Sequence, residues 1–330
     1  MPDKKKIRIG IVGAGSIGLL FGGYLANIES DLYSIEIVLF GRKEHVNAIQ
    51  NNGLLLKNNK ETIIIKNIQA FECPEDLERN HLSLKFDFVF LTTKTYDIEP
   101  SLRQYEEILR MSDYLVLLQN GIGNEDVAKS FFDENCIIRM ITTNGAFKEE
   151  AGSVYHTGFG VTKVGFPFQN IMDKPNIDVL KLLKELLCEA TLETFIVRDI
   201  LKDCWEKILI NIGINAFGAL TRLTNGELLH NESLKELMSK AIKEALVVAE
   251  KKGIDLPNKD YIDITYNVAN KTHSNKNSML QDVLKGKKTE IDYINGRIVE
   301  YARELNILVP TNELLTALIK GLEASFKNYP

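Results

Sequence analysis

One stretch decides the fold: Ile7-Arg8-Ile9-Gly10-Ile11-Val12-Gly13-Ala14-Gly15-Ser16-Ile17-Gly18. A strand is predicted up to Val12, and a helix is predicted from the apolar segment that follows Gly18. Gly13 permits a tight turn, Gly15 lets the backbone approach a pyrophosphate, and Gly18 lets the helix pack against the strand. The start of such a helix attracts phosphate. A dinucleotide-binding loop is therefore predicted, rather than a simple turn, at Gly13, Ala14, Gly15, Ser16, Ile17 and Gly18.

Short β-rich runs alternate with helical segments from this loop to about residue 197. The predicted strands are Ile7–Val12, Ile35–Phe40, Thr62–Ile65, Asp87–Thr92, Tyr114–Leu118 and Cys136–Thr142. Their nearly continuous apolar content is typical of parallel strands that are buried on both faces. Strands that alternate with helices predict right-handed crossovers and a doubly wound sheet. The segment Val154–Phe166 predicts an antiparallel hairpin at the edge of that sheet.

From Asp199 onward, long helical patterns replace the strands. They predict helices at Cys204–Ala219, Ser233–Lys252, Ile262–Thr272, Ile291–Leu305 and Asn312–Lys327. The predicted fold class is therefore an α/β N-terminal domain with a Rossmann-like doubly wound parallel sheet, followed by an all-α C-terminal domain. We expect domains at 1–197 and 198–330, with a ligand-binding cleft at their junction, where such sites are common.

Composition restricts the class of protein. A length of 330 residues exceeds what one hydrophobic core usually supports, which also favours two domains. The net charge of −5 argues against a nucleic-acid partner. The four cysteines are widely spaced, so we expect reduced, small buried thiols at Cys73, Cys136, Cys188 and Cys204. The histidines lack metal-ligand spacing, and no metal site is predicted.

Polar residues interrupt the longest apolar stretches. Arg8 breaks the run that follows Lys4-Lys5-Lys6, and Asn211 and Asn215 break the run Ile208–Leu220. Neither run has the length or composition of a secretory signal or of a membrane span. The sequence therefore predicts a cytoplasmic enzyme with a small-molecule substrate and no membrane partner.

The end of the second predicted strand indicates which dinucleotide is bound. An NAD enzyme normally has an acidic residue there for the ribose hydroxyls. This strand is followed by Arg42 and Lys43, and its only acid, Glu36, lies at the start of the strand. A guanidinium is well suited to a 2′-phosphate. We therefore expect NADPH rather than NADH; the alternative is that these residues form a solvated basic loop.

Two further polar segments follow predicted strands at the carboxyl edge of the sheet. Thr92-Thr93-Lys94 follows one strand, and Gln119-Asn120-Gly121 follows another. Ligands of doubly wound sheets bind at this edge. Lys94 and Asn120 are therefore candidate ligand-binding residues, although single residues of these types at a strand end are usually ordinary turn residues.

The helix predicted at Cys204–Ala219 carries a polar stripe on an otherwise apolar surface. Lys207, Asn211 and Asn215 are spaced four apart and therefore share one face. A buried polar group costs roughly 1–3 kcal/mol unless it has a partner. Neighbouring backbone is one possible partner. A substrate is the other. In that case the lysine ammonium protonates the alkoxide formed by hydride transfer, and the amides orient the other substrate oxygens.

Two clusters nearer the C-terminus leave two interpretations open. The first is Asn277-Ser278-Met279-Leu280-Gln281-Asp282, and the second begins at Lys288-Thr289-Glu290. Thr289 is a candidate helix cap, and Glu290 is favourable in the first turn of a helix. By spacing alone, these roles and a catalytic role are equally compatible with the sequence.

The order of all these motifs, with Asn225-Gly226-Glu227-Leu228 between them, resembles the ketopantoate reductase family from Ile7 to about Pro310. The resemblance implies that Lys207 is the general acid and that Glu290 orients lysine and substrate. It implies that Asn120, Asn211, Asn215 and Ser278 hold the substrate. Lys94, Asn120 and Glu290 would lie beside the cofactor, and Arg42 would bind its 2′-phosphate.

The reaction implied by the resemblance is hydride transfer from NADPH to C2 of ketopantoate, which gives pantoate. The resemblance also suggests a homodimer. Relatives with the same motifs act on other substrates, so reduction of a different 2-oxo acid is the first alternative. The second is a sensor that binds NADP(H) without turnover, against which Lys207 and Glu290 both argue.

Overall fold

The structure, a computed structural model, describes residues 4–169 and 174–326 and divides them into two units. The first unit ends at Ile200; the second begins at Leu201 and also includes Asn120–Ile122. The strands are β1 Lys5–Val12, β2 Tyr33–Phe40, β3 Leu54–Lys57, β4 Thr62–Ile65, β5 Ile68–Phe71, β6 Phe88–Leu91, β7 Tyr114–Leu117, β8 Ile137–Thr142, β9 Gly145–Phe147, β10 Ser153–Gly158, β11 Thr162–Gly165 and β12 Thr194–Ile196. The helices between them are α1 Ser16–Ala26, α2 Lys43–Asn52, α3 Glu75–Arg79, α4 Ile98–Gln104, α5 Glu106–Arg110, α6 Asn124–Ala128 and α7 Lys174–Glu189.

An eight-stranded sheet forms the core of the first unit, in the order β12-β11-β8-β7-β6-β1-β2-β5. Its strands pair in parallel except β11, which is antiparallel to β8. Helix α1 packs on the sheet and is buried from Gly18 to Ala26. The apolar strands β6 and β8 are buried along their whole length, as parallel strands covered on both faces should be. The predicted Rossmann-like sheet is therefore confirmed.

The strand predicted at Thr62–Ile65 exists but lies outside this sheet. It belongs to a second sheet of four strands, in the order β4-β3-β10-β9, where it pairs antiparallel with β3. Its three isoleucines resemble a strand buried on both faces, yet Ile64 is 57% exposed. The assignment to the large sheet was wrong because composition does not reveal which neighbour a short strand pairs with.

The hairpin predicted at Val154–Phe166 does not form. Strand β10 pairs with β9 and β3 in the small sheet, whereas β11 pairs with β8 in the large one. The connecting loop is held to the end of β8, because Val161 N donates to Thr143 Oγ1 at 2.9 Å and Gly160 N donates to Asn144 Oδ1 at 3.0 Å. These bonds direct the chain from one sheet to the other.

The second unit is helical, as predicted. Its helices are α8 Ile200–Thr221, α9 Glu232–Lys251, α10 Tyr261–Lys271, α11 Ser278–Leu284, α12 Asn295–Glu304 and α13 Pro310–Ser325. The helix predicted at Ile291–Leu305 is divided into a 3₁₀ turn at Ile291–Tyr293 and α12, because Ile294 between them adopts a non-helical backbone conformation. The helix predicted at Asn312–Lys327 corresponds to α13, and Lys327 lies outside the described residues. None of the helices described at 4–169 and 174–326 has the length and apolar character to cross a membrane.

The four cysteines differ in exposure. Cys204 is buried, Cys73 and Cys136 are half-buried, and Cys188 is exposed. The prediction of a buried thiol was wrong for Cys188, which lies with Lys184 and Glu185 on the outward face of α7. An amphipathic helix places residues three and four apart on one face, so a cysteine in that stripe is exposed with its neighbours.

Candidate active site

The glycine-rich loop joins β1 to α1 in the arrangement that the sequence predicts. Gly13 has φ of +113°, which glycine adopts without strain. A Cβ on Gly18 would collide with the carbonyl oxygen of Gly13, so α1 approaches the strand only because this position has no side chain. Thr92 Oγ1, after β6, donates to that same carbonyl oxygen at 2.8 Å. The loop is thus fixed from two sides.

The same loop has the shape of a phosphate cradle. Gly15 precedes α1 without a side-chain cap, and the first turn of α1 has no acidic residue. A Cβ on Gly15 would meet no atom closer than Thr92 O, 4.0 Å away, so the backbone here is little crowded. The first N–H groups of a helix have no intrahelical partner and bind anions. The residues therefore fit the pyrophosphate of a dinucleotide.

Arg42 follows β2 beside this loop. Gly41 comes so close to Ala14 that a Cβ on Gly41 would lie 2.5 Å from the Cβ of Ala14. Arg42 is exposed, and within residues 4–169 and 174–326 its guanidinium has no hydrogen-bond or ion-pair partner. The only acid of β2, Glu36, pairs instead with Arg8 at 3.0 Å. A guanidinium, and no strand carboxylate, is therefore available at this end of β2.

Lys94 follows β6 at the same carboxyl edge of the sheet. It is half-buried and precedes the 3₁₀ turn Thr95–Asp97. Parallel strands end at a common edge, so β1, β2 and β6 direct the glycine-rich loop, Arg42 and Lys94 to one side of the first unit. The candidate cofactor residues in this unit thus follow three adjacent strands.

A hydrogen-bonded chain connects three predicted site residues of the second unit. Lys207 Nζ donates to Asn120 Oδ1 at 2.9 Å, and Asn120 Nδ2 donates to Glu290 Oε2 at 3.2 Å. Glu290 is 5% exposed, and Lys207 is half-buried. These residues lie 87 and 170 positions apart in sequence. The asparagine amide therefore bridges a cation and a buried acid, and its orientation is fixed because one end donates and the other accepts.

The backbone conformation at Gly121 allows Asn120 and Glu290 to meet. Gly121 has φ of +85°, and a Cβ at this position would lie 2.6 Å from the carbonyl oxygen of Tyr293. Glu290 immediately precedes the 3₁₀ turn that ends at Tyr293. Only glycine permits this close approach, so the Asn120-Gly121 pair brings the amide to Glu290.

Asn211 and Asn215 continue the face of α8 that begins at Lys207. Asn211 is half-buried, and Asn215 is 4% exposed. Neither side chain has a hydrogen-bond partner in the part of the chain that the structure describes. The alternative that neighbouring backbone satisfies these amides is therefore not observed, and α8 presents two amides able to bind a polar ligand.

Comparison with known proteins decides the family. The model described as ketopantoate reductase PanE/ApbA matches residues 9–167, and its C-terminal counterpart matches residues 199–323. A 2-dehydropantoate 2-reductase of Pyrococcus abyssi is 37% identical over 96% of this chain and 98% of its own. The chain belongs to the ketopantoate reductase family. A second 2-dehydropantoate 2-reductase, of Pyrococcus horikoshii, is 35% identical with the same coverage.

Solved structures share the family fold over the whole chain. A PanE/ApbA family ketopantoate reductase of Ralstonia eutropha JMP134 has a TM-score of 0.84 and 25% identity, and covers 97% of this chain and 100% of its own. D-mandelate dehydrogenase in a ternary structure with NADH and anilino(oxo)acetate has a TM-score of 0.82, 25% identity and the same coverage. Proteins named for different substrates therefore share this architecture.

The remaining predicted residue of the family motifs, Ser278, is exposed and begins α11. The residue before it, Asn277, has a role that sequence reasoning missed. Its Oδ1 accepts from Leu280 N at 2.9 Å, and its Nδ2 donates to Ile214 O of α8 at 3.5 Å. Gly218 makes room for this amide. Asn277 thus joins α11 to the helix that carries Lys207, and its position before an apolar helix was the available signal.

Thr289, the predicted cap, also has a partner that sequence did not indicate. Its Oγ1 accepts from Ile291 N at 3.2 Å, as a cap should. The same hydroxyl and the Thr289 N–H donate to Glu323 Oε1 at 2.6 and 2.7 Å. Glu323 of α13 therefore fixes the residue next to Glu290.

Proposed function

We propose that this member of the ketopantoate reductase family reduces ketopantoate to pantoate with NADPH. The observation that carries the proposal is the hydrogen-bonded chain Lys207–Asn120–Glu290. It holds an ammonium on the helix face that also carries Asn211 and Asn215, whose amides have no partner among the described residues. A proton donor with adjacent polar groups is what reduction of a ketone requires. The relatives from both Pyrococcus species support ketopantoate as the ketone.

NADPH, when bound, supplies the hydride for C2 of the oxo acid. The residues that would hold it are the backbone of 13–18 at the pyrophosphate and Arg42 at the 2′-phosphate. Lys94, Asn120 and Glu290 would contact it nearer the reacting end. Two observations support this assignment: a Cβ on Gly15 would meet nothing closer than 4.0 Å, and the guanidinium of Arg42 has no partner among the residues that the structure describes.

Lys207 donates a proton to the ketone oxygen as it becomes an alkoxide. Asn120 Oδ1 accepts from Nζ and so helps to orient the ammonium group. Glu290 Oε2 accepts from Asn120 Nδ2 and so keeps the Asn120 amide from rotating. Asn211, Asn215 and Ser278 bind the carboxylate and hydroxyl groups. Burial strengthens the interactions of Asn211 and Asn215.

A second candidate substrate is a different 2-oxo acid, and the similarity to D-mandelate dehydrogenase favours testing an aromatic one. We expect NADPH oxidation with ketopantoate to exceed that with benzoylformate by at least about 100-fold in kcat/KM, because pocket shape distinguishes the two side chains. Initial rates with both acids and both reduced cofactors measure this. A preference for benzoylformate would contradict the substrate assignment, and absence of turnover with every oxo acid would favour the sensor.

Asn215 allows binding to be separated from stability. Because Asn215 is 4% exposed and its amide has no partner in the described residues, Asn215→Leu should leave the free energy of unfolding unchanged or raise it by about 1 kcal/mol. The same change should raise KM for the oxo acid about 10-fold by removing one substrate hydrogen bond. Chemical denaturation and steady-state kinetics measure the two effects.

Asn312 is the matched control for this replacement. It is buried, at 0% exposed against 4% for Asn215, but its Nδ2 donates to Ala241 O at 3.0 Å and to Glu244 Oε2 at 2.8 Å. Asn312→Leu should therefore lower the free energy of unfolding by about 2 kcal/mol or more. Equal stability losses in both variants would show that Asn215 has a structural partner and would refute its role in binding.

A further inference from the structure

The turn that carries Asn120 contains two glycines in the left-handed backbone region. Gly121 and Gly123 both have positive φ, +85° and +79°. Glycine loses more conformational freedom on folding than any other residue, so such a turn does not fix a side chain by itself. The position of the Asn120 amide therefore depends on contacts made on either side of the turn.

Arg139 holds the chain before the turn. It lies in the middle of β8, where its neighbours are isoleucine and methionine, and it is fully buried. Its Nη1 donates to Leu117 O at 3.1 Å, and its Nη2 donates to Gln119 O at 2.6 Å. The planar guanidinium thus binds two carbonyl groups of the segment that leads directly into Asn120.

Glu125 holds the chain after the turn. It is 6% exposed, and its Oε1 accepts from Gly123 N at 3.2 Å. Its other oxygen, Oε2, lies 3.6 Å from Arg139 Nε. The two side chains therefore form a buried ion pair that joins the beginning of the turn to its end.

A charged pair at this position needs a reason other than stability. Taking both charges out of water is costly, and an apolar pair of similar volume is often as stable. The rest of β8 is already apolar up to Thr142. The charged pair fixes the backbone at Gln119 and Gly123 through hydrogen bonds. An apolar pair would not do so.

We propose that Arg139 and Glu125 are positioning residues for the reaction, acting through Asn120 on Lys207. This inference rests on the proposed function, because it assigns Asn120 to the same site. Without the ion pair, the turn samples several conformations, and the Asn120 amide meets Lys207 and Glu290 only part of the time. Loss of alignment lowers the rate of the chemical step more than it lowers cofactor affinity.

The test begins with Glu125→Ala and Glu125→Gln. Glu125→Ala removes the acceptor for Gly123 N–H and should lower kcat about 10- to 100-fold, with the Kd for NADPH changed less than about twofold. Glu125→Gln retains that acceptor and should recover part of the loss. In an Asn120→Ala background, Glu125→Ala should cause almost no further decrease, because residues that act in one chain are not additive. Full additivity would overturn the proposal.

Hydrogen exchange tests the positioning role of Glu125 independently of turnover. Amides of residues 119–124 should exchange faster in Glu125→Gln, which needs only a folded protein. Tyr24→Phe is the matched control, since it removes a different buried hydrogen bond of the first unit, from Tyr24 OH to His156 Nδ1 at 2.9 Å. It should change neither kcat nor exchange at 119–124. Unchanged exchange in Glu125→Gln would overturn the positioning role, even if the wild type reduced no oxo acid. Faster exchange in this variant, together with a wild type that reduces no oxo acid, would refute only the proposed function.

Discussion

Replacing Lys207 with alanine should lower kcat for ketopantoate by about 10²- to 10⁴-fold, the range in which a positioned general acid contributes. The reason is that Asn120 and Glu290 remain in place and hydrogen-bonded, but neither replaces Lys207 as the proposed donor of the proton to the alkoxide. The Kd for NADPH should change little. Steady-state kinetics and fluorescence titration with NADPH measure the two quantities.

Lys202 provides the control on the same helix. Its Nζ pairs with Asp255 at 2.8 Å, and the Asp255 side chain is 90% exposed, so the pair contributes little to stability. Lys202→Ala removes the same charge from α8 and should leave kcat near that of the wild type. If Lys207→Ala were as active as Lys202→Ala, the lysine would not be the proton donor.

Replacing Arg42 with alanine should raise KM for NADPH about 10- to 100-fold and leave KM for NADH nearly unchanged. A hydrogen bond between charged groups contributes about 1.5–3 kcal/mol, which corresponds to that range. Because the Arg42 side chain has no hydrogen-bond or ion-pair partner in the described residues, its removal breaks neither kind of interaction there. The ratio of kcat/KM for the two cofactors, measured with one oxo acid, reports the effect.

Arg79 is the corresponding control in the first unit. It is exposed, pairs with Asp76 at 2.9 Å on α3, and carries the same charge as Arg42. Arg79→Ala therefore changes the net charge equally and should leave the cofactor preference unchanged. Equal losses for NADPH and NADH in Arg42→Ala would instead assign Arg42 to a part that both cofactors share.

Sequence patterns predicted the large sheet well because its strands are buried on both faces and their composition records that burial. They failed where pairing depends on distant residues. Thr62–Ile65 has the composition of a central strand, but its partner β3 lies in a separate sheet. The segment Val154–Phe166 is divided between two sheets by bonds to Thr143 and Asn144. No local pattern contains this information.

Sequence patterns proposed the residues of the candidate site but did not reveal how they are connected. The spacing of Lys207, Asn211 and Asn215 predicted one helix face, since helical periodicity is local. The bridge from Lys207 through Asn120 to Glu290 joins residues far apart in the chain, and only the fold shows it. Arg139 was recognisable as a charged residue within an apolar strand, but the sequence alone did not show which groups it binds.

The small sheet also constrains the order in which the chain acquires structure. Leu55 of β3 pairs with Ser153 of β10, so its partner leaves the ribosome roughly 100 residues later. Until then, β3 has only β4 beside it, with Leu54 and Leu56 on an open edge that another nascent chain could extend. During synthesis of this protein, that edge of β3 therefore stays without its native partner until β10 has been made.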